Sequence, residues 1–239
     1  MTGDRAPEVS VVILTTGARP AELRAAVDSA LRQDGPIVEI VVVANGTSAD
    51  LGLPSDDRVR IVSSAENLGI PGGRNFGATQ AVAPVVAFLD DDARLIEVDT
   101  LAASAEAFAA NPQLGVVALR IVDDDGQTAR RHVPRVGAGG ADRSGPATAF
   151  LGGAVVIRRE AFERAGRYPT DFRYAMEETD LALRLVDDGW TIQYESTPAV
   201  VHPRTDPTRH PEAASRTMRN RVWLAYRNLP APLAVVYVA

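Results

Sequence analysis

The sequence predicts an α/β fold with a mostly parallel central sheet flanked by helices, followed by a C-terminal helix. Three observations carry this. Short Val/Ile-rich runs alternate with helical patterns through the first half of the chain, which is the order of a parallel sheet covered on both faces. Those runs are apolar almost throughout, as strands buried on two sides require. A length of 239 residues, 46% of them hydrophobic and 23% charged, suffices for a sizeable core.

The elements follow in order. Val9–Thr15 is Val- and Ile-rich between polar flanks and reads as a buried strand. After Pro20, residues Leu23, Val27, Ala30 and Leu31 share one helical face. Residues 37–43 form a second strand ending at Asn45-Gly46, and 59–62 a short third. A Gly-rich stretch from Asn67 leads into a helix through about Val82, with Gly72-Gly73-Arg74-Asn75 read as the turn that opens it. Residues 85–89 form a fourth strand running into Asp90-Asp91-Asp92, followed by a helix over 100–109 and a strand over 116–122. Residues 123–148 hold Asp, Gly, Arg and Pro with little apolar content and read as a long mobile loop that orders over substrate. Beyond it come an apolar segment over 150–157, a helix over 159–165, a helix from about Glu177 to Asp188-Gly189, and two short strands at 191–194 and 199–201. The tail from 211 to 228 is helical and Arg-rich.

Composition removes several chemistries. There is no cysteine, which excludes disulfide frameworks, zinc-thiolate sites and thiol nucleophiles. There is no lysine, so a P-loop, a protein-kinase strand lysine and a Schiff base are all excluded. A net charge of -6 argues against a nucleic-acid partner. No secretion signal and no apolar run of membrane-spanning length is visible, so the cytoplasm is the expected location.

In parallel sheets, ligands bind beyond the carboxyl ends of the strands. The residues to question there are Thr15, Thr16, Asn45 and Asp90-Asp91-Asp92. Three adjacent carboxylates repel one another, and a hard divalent ion such as Mn2+ or Mg2+ would relieve this while bridging to a diphosphate. The plainer reading is an acidic turn; the strand-end position favours the metal. The chain carries its own comparison in Asp123-Asp124-Asp125-Gly126, where Asp-Gly signals a turn. Glu177 and Glu178 open a helix. They serve either as acids complementing its dipole or, one of them, as a general base, and both readings stand. His202 follows a strand and offers an imidazole ligand. Arg74 and its glycines suit either phosphate contact or an ordinary turn. No role falls to His132 or His210.

Four pieces in order resemble the family 2 glycosyltransferases, whose catalytic domains have the GT-A fold. They are Val-Ser-Val-Val-Ile-Leu-Thr-Thr from Val9, Asn67-Leu-Gly with Gly73-Arg-Asn-Phe-Gly, Phe88-Leu-Asp-Asp-Asp, and Phe150-Leu-Gly-Gly-Ala with Glu177-Glu-Thr-Asp-Leu-Ala-Leu-Arg ending in Val201-His202. The resemblance runs from about Val9 to His202. It implies transfer of a sugar from a nucleotide-diphosphate donor to an acceptor hydroxyl, of a glycan, a lipid-linked or a small molecule, with inversion. It implies that Thr15, Thr16, Asn45, Arg74, Asp90 and Asp91 meet the donor, and that Asp90, Asp92 and His202 bind Mn2+ or Mg2+. Glu178 falls on the catalytic base, with Glu177 and Gly153 on the acceptor side. Two departures are visible: the base is usually Asp, and the Asp that many members carry after the second strand is Ala44 here.

The chain then divides into a catalytic domain over 1–204 and a helical segment over 205–239. Within the first lie a nucleotide-binding half at 1–122, the loop at 123–148 and an acceptor half at 149–204. Arg216, Arg219, Arg221 and Arg227 with Met218, Val222, Trp223 and Tyr226 would let the C-terminal helix touch an anionic membrane or pack on its own domain. A sugar-nucleotide pyrophosphorylase and a non-catalytic nucleotide-sugar binding module are the competing readings. The first is disfavoured by a glycine-poor first loop and the second by the carboxylate kept at position 178.

Overall fold

A computed structural model describes residues 6–134, 140–204 and 212–238. Nine strands make one sheet in the order β3-β2-β1-β4-β8-β6-β9-β5, with β7 added on β9. β1 (Val9–Thr15), β2 (Val38–Asn45), β3 (Val59–Ser64) and β4 (Val85–Asp90) run parallel to one another, as the apolar runs of β1, β2 and β4 predict. The expectation of a mostly parallel sheet holds for this half and for β6 (Leu114–Val122) beside β9 (Thr191–Val201). The apolar stretch at 150–157 ends in a strand, β8 (Ala154–Arg158), which inserts antiparallel between β4 and β6.

Period-two alternation sorts the core into two layers. Val9, Val11 and Ile13 of β1, with Ile40 and Val42 of β2, face α1 (Pro20–Leu31) and α3 (Thr100–Ala110). Val12, Val41, Val43 and Phe88 face α2 (Gly69–Gln80), α4 (Arg159–Arg164) and α5 (Glu177–Asp187). Phe88, Phe162 and Tyr168 meet at ring-centroid distances of 5.3 to 5.5 Å in tilted and edge-on pairs.

Two connections matter for the site. The two-residue strand β5 (Arg94–Leu95) pairs antiparallel with the end of β9, Arg94 opposite Val201, which brings the chain after Asp92 to the chain before His202. Leu89 is opposite Ala154, so the residues before β8 lie against the end of β4. The two strands expected at 191–194 and 199–201 are one, interrupted by an irregularity opposite Leu119 and Arg120.

The loop expected at 123–148 contributes a 3-10 turn at Arg130–His132 and the short β7 (Gly145–Ala147) on β9; residues 135–139 lie outside the described residues. Asp123 closes the turn predicted for the second acidic triplet, accepting the N–H groups of Asp125 and Gln127 at 3.0 and 2.9 Å. The C-terminal segment forms α6 (Ala213–Asn228), which packs on α5, and α7 (Ala231–Val238), which packs on α6. Its first residues, 205–211 with His210, lie outside the described residues. Among the described residues, no helix is long and apolar enough to cross a membrane.

Candidate active site

Each carboxylate at the end of β4 meets a different partner. Asp90 accepts a hydrogen bond from Arg74 Nη2 at 2.8 Å. Asp91 is buried and accepts one from Thr15 Oγ1 at 2.7 Å. Asp92 faces His202, whose Nε2 is 3.4 Å from Asp92 Oδ1 and 3.5 Å from Asp90 Oδ2. The other ring nitrogen, Nδ1, lies 2.7 Å from the Pro203 carbonyl and donates to it, which aims Nε2 between the carboxylates. Burial works against a charged imidazole, but the bond to Asp90 and the charges of Asp90 and Asp92 outweigh it and push His202 up to about 9. Burial likewise raises the Asp91 carboxyl, to about 6, although Thr15 and Arg19 pull it back.

The ligand atoms of Asp90, Asp92 and His202 lie within 4.8 Å of one another. Two carboxylate oxygens and an imidazole, oriented by a carbonyl on its second nitrogen, are a donor set that suits Mn2+. The residues present therefore fit the divalent cation expected of them.

Arg74 ties this end of the sheet to α5. Its guanidinium, 4% exposed, reaches Asp90 and also Glu178 Oε1 at 3.2 Å, with Glu177 Oε1 at 3.8 Å. Burial opposes its charge, but Asp90, Glu178 and Glu177 hold it firmly protonated. The Glu178 carboxylate also accepts the Gly152 N–H at 3.2 Å. Residue 178 thus shares one cleft with the aspartates. Glu177 is buried beneath it, and its Oε2 has no hydrogen-bond partner. Burial, with Glu178 alongside, pushes the Glu177 carboxyl up to about 8.

The glycine pair before β8 is explained by this cluster. A Cβ on Gly152 would fall 2.6 Å from both Arg74 Cζ and Glu178 Oε1, and one on Gly153 would overlap the Asp90 carboxylate. Gly153, assigned to the acceptor from sequence, is placed directly against Asp90.

Other assignments change. The turn read at Gly72-Gly73-Arg74-Asn75 lies inside α2, which begins at Gly69. Its opening N–H groups are already taken: Leu68 by Asn45 Oδ1, Gly69 by Asn67 Oδ1, and Ile70 by the Arg173 carbonyl. Pro71 has none to offer, so this helix start has little left for a phosphate. Gly73 and Gly77 instead let α2 approach the sheet, where a Cβ would stand 2.9 Å from Leu14 Cδ2 and 2.8 Å from Val43 Cγ2 respectively. Asn45, expected to meet the donor, lines the cleft, and its amide also donates to Asn67 Oδ1 and the Gly69 carbonyl. Thr15 is turned to Asp91 and accepts the Gly17 N–H, while Thr16 stands exposed on the cleft wall.

Sequence reasoning missed Arg19, which pairs with both Asp91 and Asp92. Its signal was slight, a single arginine before Pro20. His132, given no role, lines the cleft together with Arg131 and Arg216. The cleft encloses about 1210 Å³, room for a nucleotide sugar and part of an acceptor.

Comparison with known proteins gives the family and the fold. Residues 10–166, more than half of the chain, match the family model Glycosyl transferase family 2. The chain is 36% identical over 132 residues to the succinoglycan biosynthesis protein ExoO of Rhizobium meliloti, covering 53% of this chain and 37% of that one. It is 25% identical over 248 residues to the O-antigen biosynthesis protein RfbC of Myxococcus xanthus, covering 92% of this chain and 19% of that one. It therefore spans well under half the length of either curated relative. Among solved structures it resembles S. aureus TarS 1-349 (TM-score 0.69, 18% identity, 97% of this chain and 69% of that one). It also resembles the mannosyltransferase PcManGT of Pyrobaculum calidifontis in complex with GDP-Man and Mn2+ (TM-score 0.68, 21% identity, 98% and 68%). A GT-A architecture with an Asp/His cluster at the end of β4, together with that family match, shows that the chain belongs to glycosyl transferase family 2.

Proposed function

We propose that the cleft transfers a sugar from a nucleoside-diphosphate donor to an acceptor hydroxyl in one inverting displacement, with Glu178 as the base. The observation that carries this is the arginine shared by two carboxylates: Arg74 holds Asp90 on one side and Glu178 on the other, across a single opening. In the reaction, the acceptor oxygen bonds to the anomeric carbon, the bond from that carbon to the diphosphate oxygen breaks, and the hydroxyl proton passes to Glu178. The displacement inverts the anomeric centre because the hydroxyl enters on the face opposite the departing diphosphate. Mn2+ or Mg2+ held by Asp90, Asp92 and His202 would offset the charge of the departing diphosphate. Thr15 and Arg19 keep Asp91 and Asp92 in place, and Thr16 stands at the donor's entry. The solved relatives hold UDP, UDP-GlcNAc or GDP-Man, so uridine and guanosine donors are the first to test. Exposed Met218, Val222 and Tyr226 on α6 leave a surface for the membrane contact considered from sequence.

The test begins with thermal shifts in UDP, GDP and dTDP, with and without Mn2+. Glu178→Gln then keeps nucleotide affinity within about threefold while turnover falls roughly 100- to 10,000-fold. Parent-like turnover in that variant would remove Glu178 from the role. Pyrophosphate-dependent release of a nucleoside triphosphate would favour the pyrophosphorylase reading instead.

A further inference from the structure

The segment entering α5 is held in a conformation its residues do not favour. Arg173, Ala175 and Met176 have φ angles of 57°, 68° and 68°, and none is a glycine. Left-handed backbone crowds a Cβ, so such residues persist only where their surroundings over-determine them. They directly precede Glu177 and Glu178, and the Arg173 carbonyl also receives the N–H of Ile70 at the start of α2.

The restraint comes from the C-terminal helix. Asn220 of α6 is fully buried, and the two N–H groups of its Nδ2 are shared among the carbonyls of Phe172, Tyr174 and Ala175, which lie 3.0, 2.8 and 2.8 Å away. Its Oδ1 accepts from Arg219 Nε and Nη2 at 3.1 and 3.0 Å. Arg219 Nη2 reaches the Asp171 and Phe172 carbonyls as well, both at 3.1 Å, and its guanidinium lies over the Trp223 ring. One amide thus gathers three carbonyls of a segment whose peptide planes point unusually, and an arginine fixes which way that amide faces. The same side chain on an ordinary helix-packing face would have no reason to be fully buried among backbone acceptors.

We propose that Asn220 is a positioning residue for the catalytic base: it fixes the left-handed backbone at 173–176 and thereby seats Glu178 against Arg74 and the Gly152 N–H. The C-terminal helix is then part of the active-site scaffold rather than an appendage to the nucleotide-binding fold. The inference rests on the reading of Glu178 as base.

The test compares the parent with Asn220→Ala in the full chain. Three quantities are measured: hydrogen exchange of peptides covering 171–178, affinity for UDP or GDP with Mn2+, and nucleoside-diphosphate release from UDP-GlcNAc or GDP-mannose. The expected result is exchange at least tenfold faster in that segment, nucleotide affinity within about threefold, and kcat lower by roughly 10- to 100-fold with donor KM little changed. Adding Ala175→Gly, which removes one crowded Cβ, recovers about fivefold of kcat in the Asn220→Ala background. A role in packing alone would lower Tm but leave kcat per folded molecule and the effect of Ala175→Gly flat, and that outcome overturns the proposal. If Asn220→Ala does not fold, Arg219→Ala leaves the amide present but unoriented, and unchanged exchange over 171–178 in that variant overturns it equally. Loss of turnover in Glu178→Gln with parent-like Asn220→Ala defeats the positioning role alone. Parent-like Glu178→Gln defeats the base, and the exchange measurement still judges whether Asn220 holds the segment.

Discussion

Gly153→Ala tests whether the Asp90 carboxylate is placed where a cation needs it. The backbone of Gly153 is not in the left-handed region, so an alanine there meets no conformational penalty of its own. The whole perturbation is the added methyl. It would stand 2.9 Å from Asp90 Oδ1 and overlap Oδ2 and Cγ, far inside van der Waals contact. Asp90 cannot simply swing away, because Arg74 holds Oδ1 and the His202 ring faces Oδ2. Forcing a methyl into such a site costs about 1–3 kcal/mol. That cost is borne by the conformation that presents Asp90 to a cation, so Mn2+-dependent binding of UDP or GDP weakens roughly 5- to 150-fold. The assay is calorimetric titration of the nucleotide at fixed Mn2+, with melting of the free protein as the control for folding. Parent-like affinity would show that Asp90 has room to move, and the geometric account of the glycine pair would be wrong.

Two further predictions concern the same cluster. Asp92→Ala abolishes Mn2+-dependent nucleotide binding in titration, because it removes a ligand that Arg19 and His202 both address, while His202→Ala weakens it less; equal losses would contradict the ranking. Glu177→Gln changes the pH dependence of stability. The Glu177 carboxyl is raised in the folded protein, so its contribution is full below the ordinary carboxylate range and is lost as pH rises through about 8. Glutamine mimics the protonated form and loses nothing. The variant therefore melts within about 2 °C of the parent at pH 5 and roughly 5–10 °C above it at pH 9. A variant less stable than the parent at pH 9 would show that Glu177 is ionised and supported in the fold.

What the sequence could show was set by range. Val11, Val41 and Phe88 announce their strands because burial on both faces demands a continuous apolar run, and that demand is local. Asp90 and Asp92 are legible for a similar reason, since their place after β4 is itself the signal. Direction is not local, so the run at 150–157 could not say that β8 enters antiparallel. β5, two residues long, has no period at all. Asn45 and Thr15 line the cleft and also hold partners that the sequence does not announce. Both lie at strand ends where a ligand was expected, and their side chains bond Leu68, Gly69 and Asp91, partners 23 or more residues away. Arg19 and Asn220 were unreadable for the same reason: their partners lie 72 and about 48 residues distant in the chain.

The charges in the cleft bear on the order in which ligands arrive. Asp90, Asp91, Asp92, Glu177 and Glu178 converge there, and among the described residues the groups ion-paired with them are Arg19, Arg74 and His202. Asp90 and Asp92 both face the His202 ring across the candidate cation site, where a divalent ion would relieve their mutual repulsion. A diphosphate entering without the cation would meet Asp90 and Asp92 at short range and be repelled. UDP and GDP should therefore bind at least tenfold more tightly with Mn2+ than with EDTA, and the difference should shrink when Asp92 is replaced by Asn. Nucleotide binding that ignores EDTA would mean that Arg19, not a cation, neutralises the phosphates, and Arg19→Ala would then be the variant that loses it.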